Sequence, residues 1–142
     1  PMIHEVTDEQ CEYLIKLARR SIASGLGIDA PEPKQPDRPV SGSGGAFVTL
    51  KKHGSLRGCI GTMASDKPIT SLIPEMARSS AFNDPRFPPL TADEFPDITV
   101  ELSLLSPMRR VDSPEEVVPG EHGVLMRSGS RSGVLLPQVA TE

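Results

Sequence analysis

The sequence is short of cysteines, of aromatic residues and of long hydrophobic runs, and each shortage excludes a class of protein. Its 142 residues include only two cysteines, Cys11 and Cys59, which lie far apart in unlike contexts, so a disulfide framework does not hold the chain together. No run approaches the roughly 20 consecutive apolar residues that a membrane-spanning helix needs, and residues 1–12 do not resemble a signal peptide. We therefore expect a cytoplasmic protein with reduced thiols and no membrane association.

Excess positive charge is also lacking. The chain has 15 Lys and Arg residues against 19 Asp and Glu, a net charge of -4, so no overall field draws it to nucleic acid. With no Trp and one Tyr, it lacks the aromatic side chains that stack on single-stranded bases. Lys51, Lys52, His53 and Arg57 still concentrate positive charge at one hairpin end, enough for a phosphate or a carboxylate. Nucleic-acid binding is therefore a minority hypothesis.

The first half of the chain contains a helical pattern followed by strand patterns. Thr7 and Gln10 form a capping box ahead of apolar residues at helical spacing, which predicts a helix over residues 8–24. Residues 29–45, rich in Pro and Gly, predict a flexible loop. Residues 46–52 and 56–63 predict two strands of a hairpin with its turn at 53–55. A second helix, bent at Pro74, is predicted after residues 65–68.

The second half adds strands. Thr91 and Glu94 are typical caps of a short helical turn, and residues 98–104 alternate as a half-buried strand. Residues 113–116 resemble a helix start, and residues 124–127 and 133–136 flank a turn, which predicts a closing hairpin. Hairpin-linked strands with flanking helices favour one α+β domain whose antiparallel sheet is covered on one face.

The segment Leu56-Arg57-Gly58-Cys59-Ile60-Gly61 is the one credible chemical focus. The strand period of two predicts that the Arg57 and Cys59 side chains share a face, where a guanidinium favours the nucleophilic thiolate. Gly58 and Gly61 could let a ligand approach the main chain, or could mark a bulge or a tight contact within the fold. Alternatively, a turn centred on Gly54 and Ser55 would pair Cys59 with Leu50 and make Cys59 part of the core.

Other candidate residues surround this segment. His53 could act as a base toward the thiol, while a solvated turn histidine is the simpler alternative. Glu101 is a candidate acid, base or ligand contact if its strand face lines a cleft. Arg86 is a candidate ligand contact, and its alternative role is an ion pair with Asp84 that locks the proline-rich turn. The three histidines, which include His4 and His122, show no metal-ligand spacing, so we predict no metal site.

The hexapeptide at residues 56–61 resembles the hallmark motif of the AMMECR domain family. Residues 45–50, 83–90, 101–103 and 133–139 are similar to this family's recurring segments, in the same order. The resemblance implies an α+β fold with an antiparallel sheet and a smaller appended subdomain, and it places the active or binding site at Arg57, Gly58 and Cys59. It supplies no reaction and no cofactor.

Three further expectations come from the resemblance. Family members are similar to one component of a set that includes a Memo-like protein and a radical-SAM enzyme, which implies partners of those kinds. They also continue past residues 135–139 into a tryptophan-containing helical region, so we expect that a carboxy-terminal part of the domain lies beyond Glu142. Pro74 stands where relatives carry a helix former, which implies a stronger bend in the second helix.

Three functions follow as hypotheses. The first is an enzyme, or an enzyme component, that uses the Cys59 thiolate with Arg57 on a small ligand or a protein group. The second is a non-catalytic interaction module, in which the hairpin and residues 83–90 bind a Memo-like or radical-SAM partner. The third is regulatory binding of RNA through the basic hairpin end.

Overall fold

The fold is an antiparallel sheet with two helices on one face. The computed structural model describes residues 6–105 in full, together with the backbone of two later strands, 123–127 and 134–135. The elements in chain order are α1 (Asp8–Gly25), β1 (Gly45–Lys52), β2 (Ser55–Thr62), α2 (Ile69–Phe82), a 3-10 turn (Phe95–Asp97), β3 (Ile98–Leu105), β4 (Gly123–Arg127) and β5 (Val134–Leu135). The strand order is β2-β1-β3-β4-β5, with every neighbouring pair antiparallel. The predicted α+β class is confirmed.

Helix α1 begins and ends at the signals its sequence carries. The Thr7 side chain accepts a hydrogen bond from the Gln10 amide, and the Gln10 side chain returns one to the Thr7 amide, so the predicted capping box is present. At the other end Gly27 has a φ of +76°, and the Ile28 amide donates to the Ala23 carbonyl. A left-handed glycine with this bond reverses the chain and ends the helix.

The core lies between the helices and the covered face of the sheet. Alternate residues of β3 are buried, and α2 packs over β1 and β2 while α1 packs against α2 and β3. The residues that are almost fully buried there are Leu14, Ile22, Val48, Leu50, Ile73, Val100 and Leu102. The predicted half-buried strand and the predicted sheet with one covered face are both confirmed.

Helix α2 contains Pro74 without being ended by it. Its apolar stripe is buried at Ile69, Leu72, Ile73 and Ala77, and Met76 is partly buried against the core. The Ser21 hydroxyl of α1 donates to the Pro74 carbonyl at 2.8 Å, which ties the two helices together at this residue. The proline is therefore accommodated within a continuous helix.

Residues 29–44 form neither a helix nor a strand, apart from an isolated bridge between Ser43 and Pro68. They contact α1 through several hydrogen bonds, including those from the Gln10 side chain to the Arg38 and Pro39 carbonyls. Their predicted flexibility stays a prediction, as does the appended subdomain. The predicted helix start at 113–116 and the turn between β4 and β5 lie outside the described residues.

Among the residues described, neither helix combines the length and the apolar character that a bilayer span requires.

Candidate functional site

A β-bulge in strand β2 decides which side chains surround Cys59. The hairpin turn is His53-Gly54, both with positive φ, and the register begins with Lys52 opposite Ser55. It slips between Leu50 and Lys51, so that Arg57 is the extra residue and Leu50 faces Gly58. Without this bulge Cys59 would lie opposite buried Val48. With it, Cys59 lies opposite Thr49, on the face away from the helices, because a one-residue slip exchanges the two faces of a strand.

Two predictions about Cys59 are therefore wrong. It does not pair with Leu50 and is not in the core, because the turn is centred one residue earlier than that alternative required and the bulge then shifts the register. Cys59 is half-buried and its sulfur is a free thiol, whereas Cys11 is fully buried in α1. Arg57 and Cys59 do not share a face, because the bulge breaks the period of two between them.

Arg57 is instead buried at the centre of an ion-pair cluster. Its Nε and Nη2 atoms donate to the two carboxylate oxygens of Glu94 at 3.0 and 3.1 Å, and Lys52 Nζ also donates to Glu94. The Phe87 ring lies 5.9 Å from the guanidinium carbon. Arg57 Nη1 is a buried side-chain donor without a hydrogen-bond partner among the described residues. These contacts make Arg57 a structural anchor of the bulge.

Glu94 carries the charge that Arg57 requires. Its carboxylate also accepts from the Thr91 amide and hydroxyl, which forms half of the predicted cap of the short turn. The hydrogen bond from Arg57, opposed by partial burial, lowers the pKa of Glu94 from its ordinary 4.5 to about 2. Glu94 is therefore ionised at neutral pH.

The two glycines of the hexapeptide are required by close packing. A Cβ atom on Gly58 would lie 2.2 Å from the Ser80 carbonyl oxygen of α2. A Cβ atom on Gly61 would lie 2.3 Å from the Ala46 carbonyl oxygen of β1. Both distances are far inside van der Waals contact, so the bulge and tight-contact alternative accounts for both residues. Their role in binding a ligand stays a prediction.

Every polar group of Cys59 is held by a neighbouring side chain. Its amide donates to Asp84 Oδ2 at 3.0 Å, and its carbonyl accepts from Arg86 Nη2 at 3.2 Å. Its sulfur lies 3.2 Å from Thr49 Oγ1, and either atom can be the donor. Because β2 is the edge strand among the strands that the structure describes, Asp84 and Arg86 take the place of the strand that would otherwise pair with it there.

Asp84 and Arg86 form the ion pair that was the structural alternative for both residues. Arg86 Nη2 and Nε donate to the two Asp84 oxygens at 2.7 and 3.0 Å. The hydrogen bonds from Arg86 and from the Cys59 amide hold the pKa of Asp84 well below its ordinary value. The hydrogen bond to Asp84 raises the pKa of Arg86, and Coulombic interaction with Cys59 adds to the rise. Arg86, rather than Arg57, is the guanidinium at Cys59.

A row of polar residues crosses the open face of the sheet at Cys59. Thr49 lies between Cys59 on β2 and Glu101 on β3, directly opposite each of them in register. Directly opposed side chains on one face have Cβ atoms about 4.5–5.5 Å apart. Glu101 Oε2 forms an ion pair with Lys51 Nζ at a distance of 3.2 Å. A thiol, a hydroxyl and a carboxylate therefore stand side by side.

Each basic side chain of the hairpin end has a carboxylate neighbour. Lys51 pairs with Glu101, and Lys52 and Arg57 share Glu94. His53 Nε2 lies 3.7 Å from an oxygen of Asp97, at the turn and away from Cys59. The structure therefore does not bring His53 to the thiol, and the basic cluster that suggested RNA binding is matched by nearby acids.

The cavity that the described residues form does not include Cys59. A cavity of about 480 Å³ lies on the helical side, between α1, α2 and residues 27–30, away from Cys59. Within the described part of the chain, no three His, Cys, Asp or Glu side chains are close enough together to hold a metal ion.

The structure thus assembles Cys59, Arg86 and Glu101 from the predicted residues and leaves Arg57 and His53 apart. Asp84, Thr49 and Ser80 are neighbours of the site that were not predicted as site residues. Thr49 had a signal, because strand alternation puts it on the polar face of β1. The bulge that brings Cys59 opposite Thr49 had only an ambiguous signal, Gly58.

Known proteins are similar to this chain over most of its length. A sequence profile of the AMMECR1 family matches residues 15–142. Protein MK0488 of Methanopyrus kandleri is 42% identical over 154 residues, which cover 99% of this chain and 73% of that protein. A Methanosarcina barkeri protein is 40% identical over 147 residues, with coverages of 96% and 73%.

A solved structure is also similar. The uncharacterized protein PH0010 from Pyrococcus horikoshii matches with a TM-score of 0.66 and 29% sequence identity, over 97% of this chain and 74% of that chain. The sequence resemblance, the family profile and the shared fold agree, and this chain belongs to the AMMECR1 family.

Proposed function

We propose that this protein is an enzyme, or a component of one, that uses the Cys59 thiolate on a small ligand or a protein group. The single observation that carries the proposal is the bulge, which moves Cys59 from the core face to the open face beside Thr49 and Arg86. A cysteine that served only to pack would gain nothing from this exposure, since an unshifted register would bury it.

The neighbours of the sulfur suit nucleophilic chemistry. The Thr49 hydroxyl can donate to a thiolate at 3.2 Å, and a donor to the charged form favours that form. Arg86 supplies a positive charge beside the same residue. In the proposed step the sulfur adds to an electrophilic carbonyl carbon, so that the S–C bond forms as the C=O π bond opens and its electron pair moves to the oxygen. Glu101, beyond Thr49 in the row, is the proposed group that takes up the thiol proton and returns it to that oxygen.

Alkylation by iodoacetamide, followed peptide by peptide between pH 6 and 9, tests the proposal. We expect Cys59 to react while Cys11, fully buried in α1, stays unreacted and reports that the protein is folded. Thr49→Val should slow the alkylation of Cys59 roughly threefold to tenfold at pH 7, because the variant lacks the hydroxyl that donates a hydrogen bond to the thiolate. Thr99→Val, on the same face of β3, is the matched control. A Cys59 as inert as Cys11 would refute the proposal.

A second function, the binding of a partner protein, is favoured by two exposed side chains. Leu56 and Met63 are the large hydrophobic residues that the structure describes as exposed, at 43% and 48%, and they flank the segment from Arg57 to Thr62. Apolar side chains at both ends of an edge strand suit a protein contact. Memo-like and radical-SAM proteins are the proposed partners, as the resemblance implies.

Gel filtration of this protein mixed with each proposed partner tests the second function. A stable complex that is lost in the double variant Leu56→Ser, Met63→Ser would support it, and the partner should then slow the alkylation of Cys59. Co-elution that survives the double variant would place the contact elsewhere. RNA binding has no comparable support, since Lys51, Lys52 and Arg57 of the hairpin end each pair with a carboxylate.

A further inference from the structure

We infer that the Cys59 site takes an anionic substrate, a molecule or group that carries a carboxylate or a phosphate, and that Arg86 is its main contact. The inference rests on the proposed use of Cys59 and adds the class of substrate. It depends on how Arg86 is held, and on which partner of each nearby ion pair faces the solvent.

The Arg86 guanidinium is held in place by neighbouring residues and still has unused hydrogen-bond donors. Asp84 binds its Nε and Nη2 atoms in a bidentate ion pair, and Nη2 also donates to the Cys59 carbonyl. The Phe87 ring lies 5.5 Å from the guanidinium carbon. Nη1 makes no hydrogen bond to the described residues. A planar fork held in this way loses little conformational entropy when its remaining donors bind an oxyanion.

The cations near Cys59 are more exposed than their carboxylate partners. The Arg86 side chain is 56% exposed and that of Asp84 is 2% exposed, while Lys51 is 39% exposed against 15% for Glu101. The more exposed member of a pair dominates the field that an approaching ligand meets, because the buried member lies farther from it. The surface beside Cys59 is therefore locally positive, although the whole chain has a net charge of -4.

The geometry puts these two cations on either side of the reacting residue. Arg86 contacts Cys59 at the outer edge of β2, and Lys51 lies two residues along β1 from Thr49, which faces Cys59. Arg57, the more obvious cation of the hexapeptide, is excluded, because its guanidinium is buried against Glu94. The anion would thus be met by residues outside the hallmark motif.

Two alkylating reagents that differ in charge test the inference. The rate at which Cys59 is alkylated by anionic iodoacetate is divided by the rate at which it is alkylated by neutral iodoacetamide. The same ratio is measured for N-acetylcysteine amide, a free thiol, in the same buffer. We expect the protein's ratio to be higher, and to fall about threefold to fivefold in Arg86→Gln, because one adjacent charge is lost. It should also fall at 0.5 M salt. Arg86→Lys should keep part of the preference.

Controls separate this inference from the proposed function. Lys67→Gln removes an exposed, ion-paired lysine of a distant turn and should leave the ratio unchanged, and unreacted Cys11 shows that each variant is folded. Protection of Cys59 by inorganic phosphate but not acetate assigns the phosphate class, and the reverse assigns the carboxylate class. A reactive Cys59 whose ratio equals that of the free thiol and ignores Arg86→Gln overturns the inference alone. An unreactive Cys59 overturns the proposed function.

Discussion

Gly58 and Gly27 meet the two physical conditions under which a fold requires glycine. At Gly58 the backbone is ordinary but the space is absent, because the Ser80 carbonyl oxygen occupies it. At Gly27 the space is open, with no atom within 4 Å of a Cβ position, but the φ of +76° is one that side-chain-bearing residues rarely adopt. Steric exclusion and backbone strain are therefore separable within one chain.

Alanine at each position should cost different amounts of stability. Gly27→Ala is expected to lower the free energy of unfolding by about 1 kcal/mol, the usual cost of a left-handed alanine. Gly58→Ala is expected to cost about 3 kcal/mol or more, because a rigid carbonyl of α2 must move. Urea unfolding of both variants measures the difference. Equal losses would mean that α2 yields easily to β2.

At the scale of elements, the end of α2 fastens the hairpin that carries Cys59. Ser80, buried on α2, accepts a hydrogen bond from the Ile60 amide at 2.9 Å and donates one to the Val48 carbonyl at 2.7 Å. One hydroxyl thus joins a helix to two strands. Asp84, two residues beyond the helix, then binds the Cys59 amide. The position of the site depends on α2 as much as on β2.

Removal of this hydroxyl should loosen the hairpin. Ser80→Ala leaves two buried backbone groups without their side-chain partner, so we expect a loss of about 1–3 kcal/mol of unfolding free energy. Amide hydrogen exchange should accelerate at Ile60 more than in α1. Ser79→Ala, the adjacent position, is the matched control and should change little. Unchanged hydrogen exchange at Ile60 would show that β1 and β2 stay paired without the Ser80 hydroxyl.

The elements themselves were predictable, and their interlocking was not. Local signals fixed α1 through Thr7 and Gln10, the hairpin through its turn, and β3 through its alternation. The bulge at Arg57 comes from contacts distant in sequence, with Ser80 and Glu94, which no local pattern of β2 contains. The candidate site was therefore found as a segment, while the face of Cys59 and the identity of its arginine were missed.

At the scale of the whole molecule, ion-paired carboxylates link stability to pH. Glu94 and Asp84 both have lowered pKa values in the folded protein, because Arg57 and Arg86 respectively bind their ionised forms. Groups of this kind stabilise the fold fully above their unfolded pKa and lose that contribution as the pH falls through the folded pKa. For Glu94 the loss falls between about 4.5 and about 2.

Glu94→Gln should change how the free energy of unfolding falls at acid pH. At pH 7 the variant is expected to be less stable than the parent, since Arg57 and Lys52 lose their shared anion. Below pH 4.5 the parent should lose stability more steeply, because its unfolded chain takes up the proton first, and the two curves should converge toward pH 2. Urea unfolding across this range measures the gap. A gap that stays constant would show that Glu94 acts through packing alone.

The pairing of Asp84 and Arg86 with the Cys59 backbone has a consequence for growth of the sheet. The outer side of an edge strand normally carries unpaired backbone N–H and C=O groups. Another polypeptide can pair with them, extend the sheet and begin an aggregate. Here the donor and the acceptor at the middle of that side are already occupied by an acid and a base from the same chain. The contacts that hold the Cys59 backbone thus also keep neighbouring molecules from pairing strand to strand beside it.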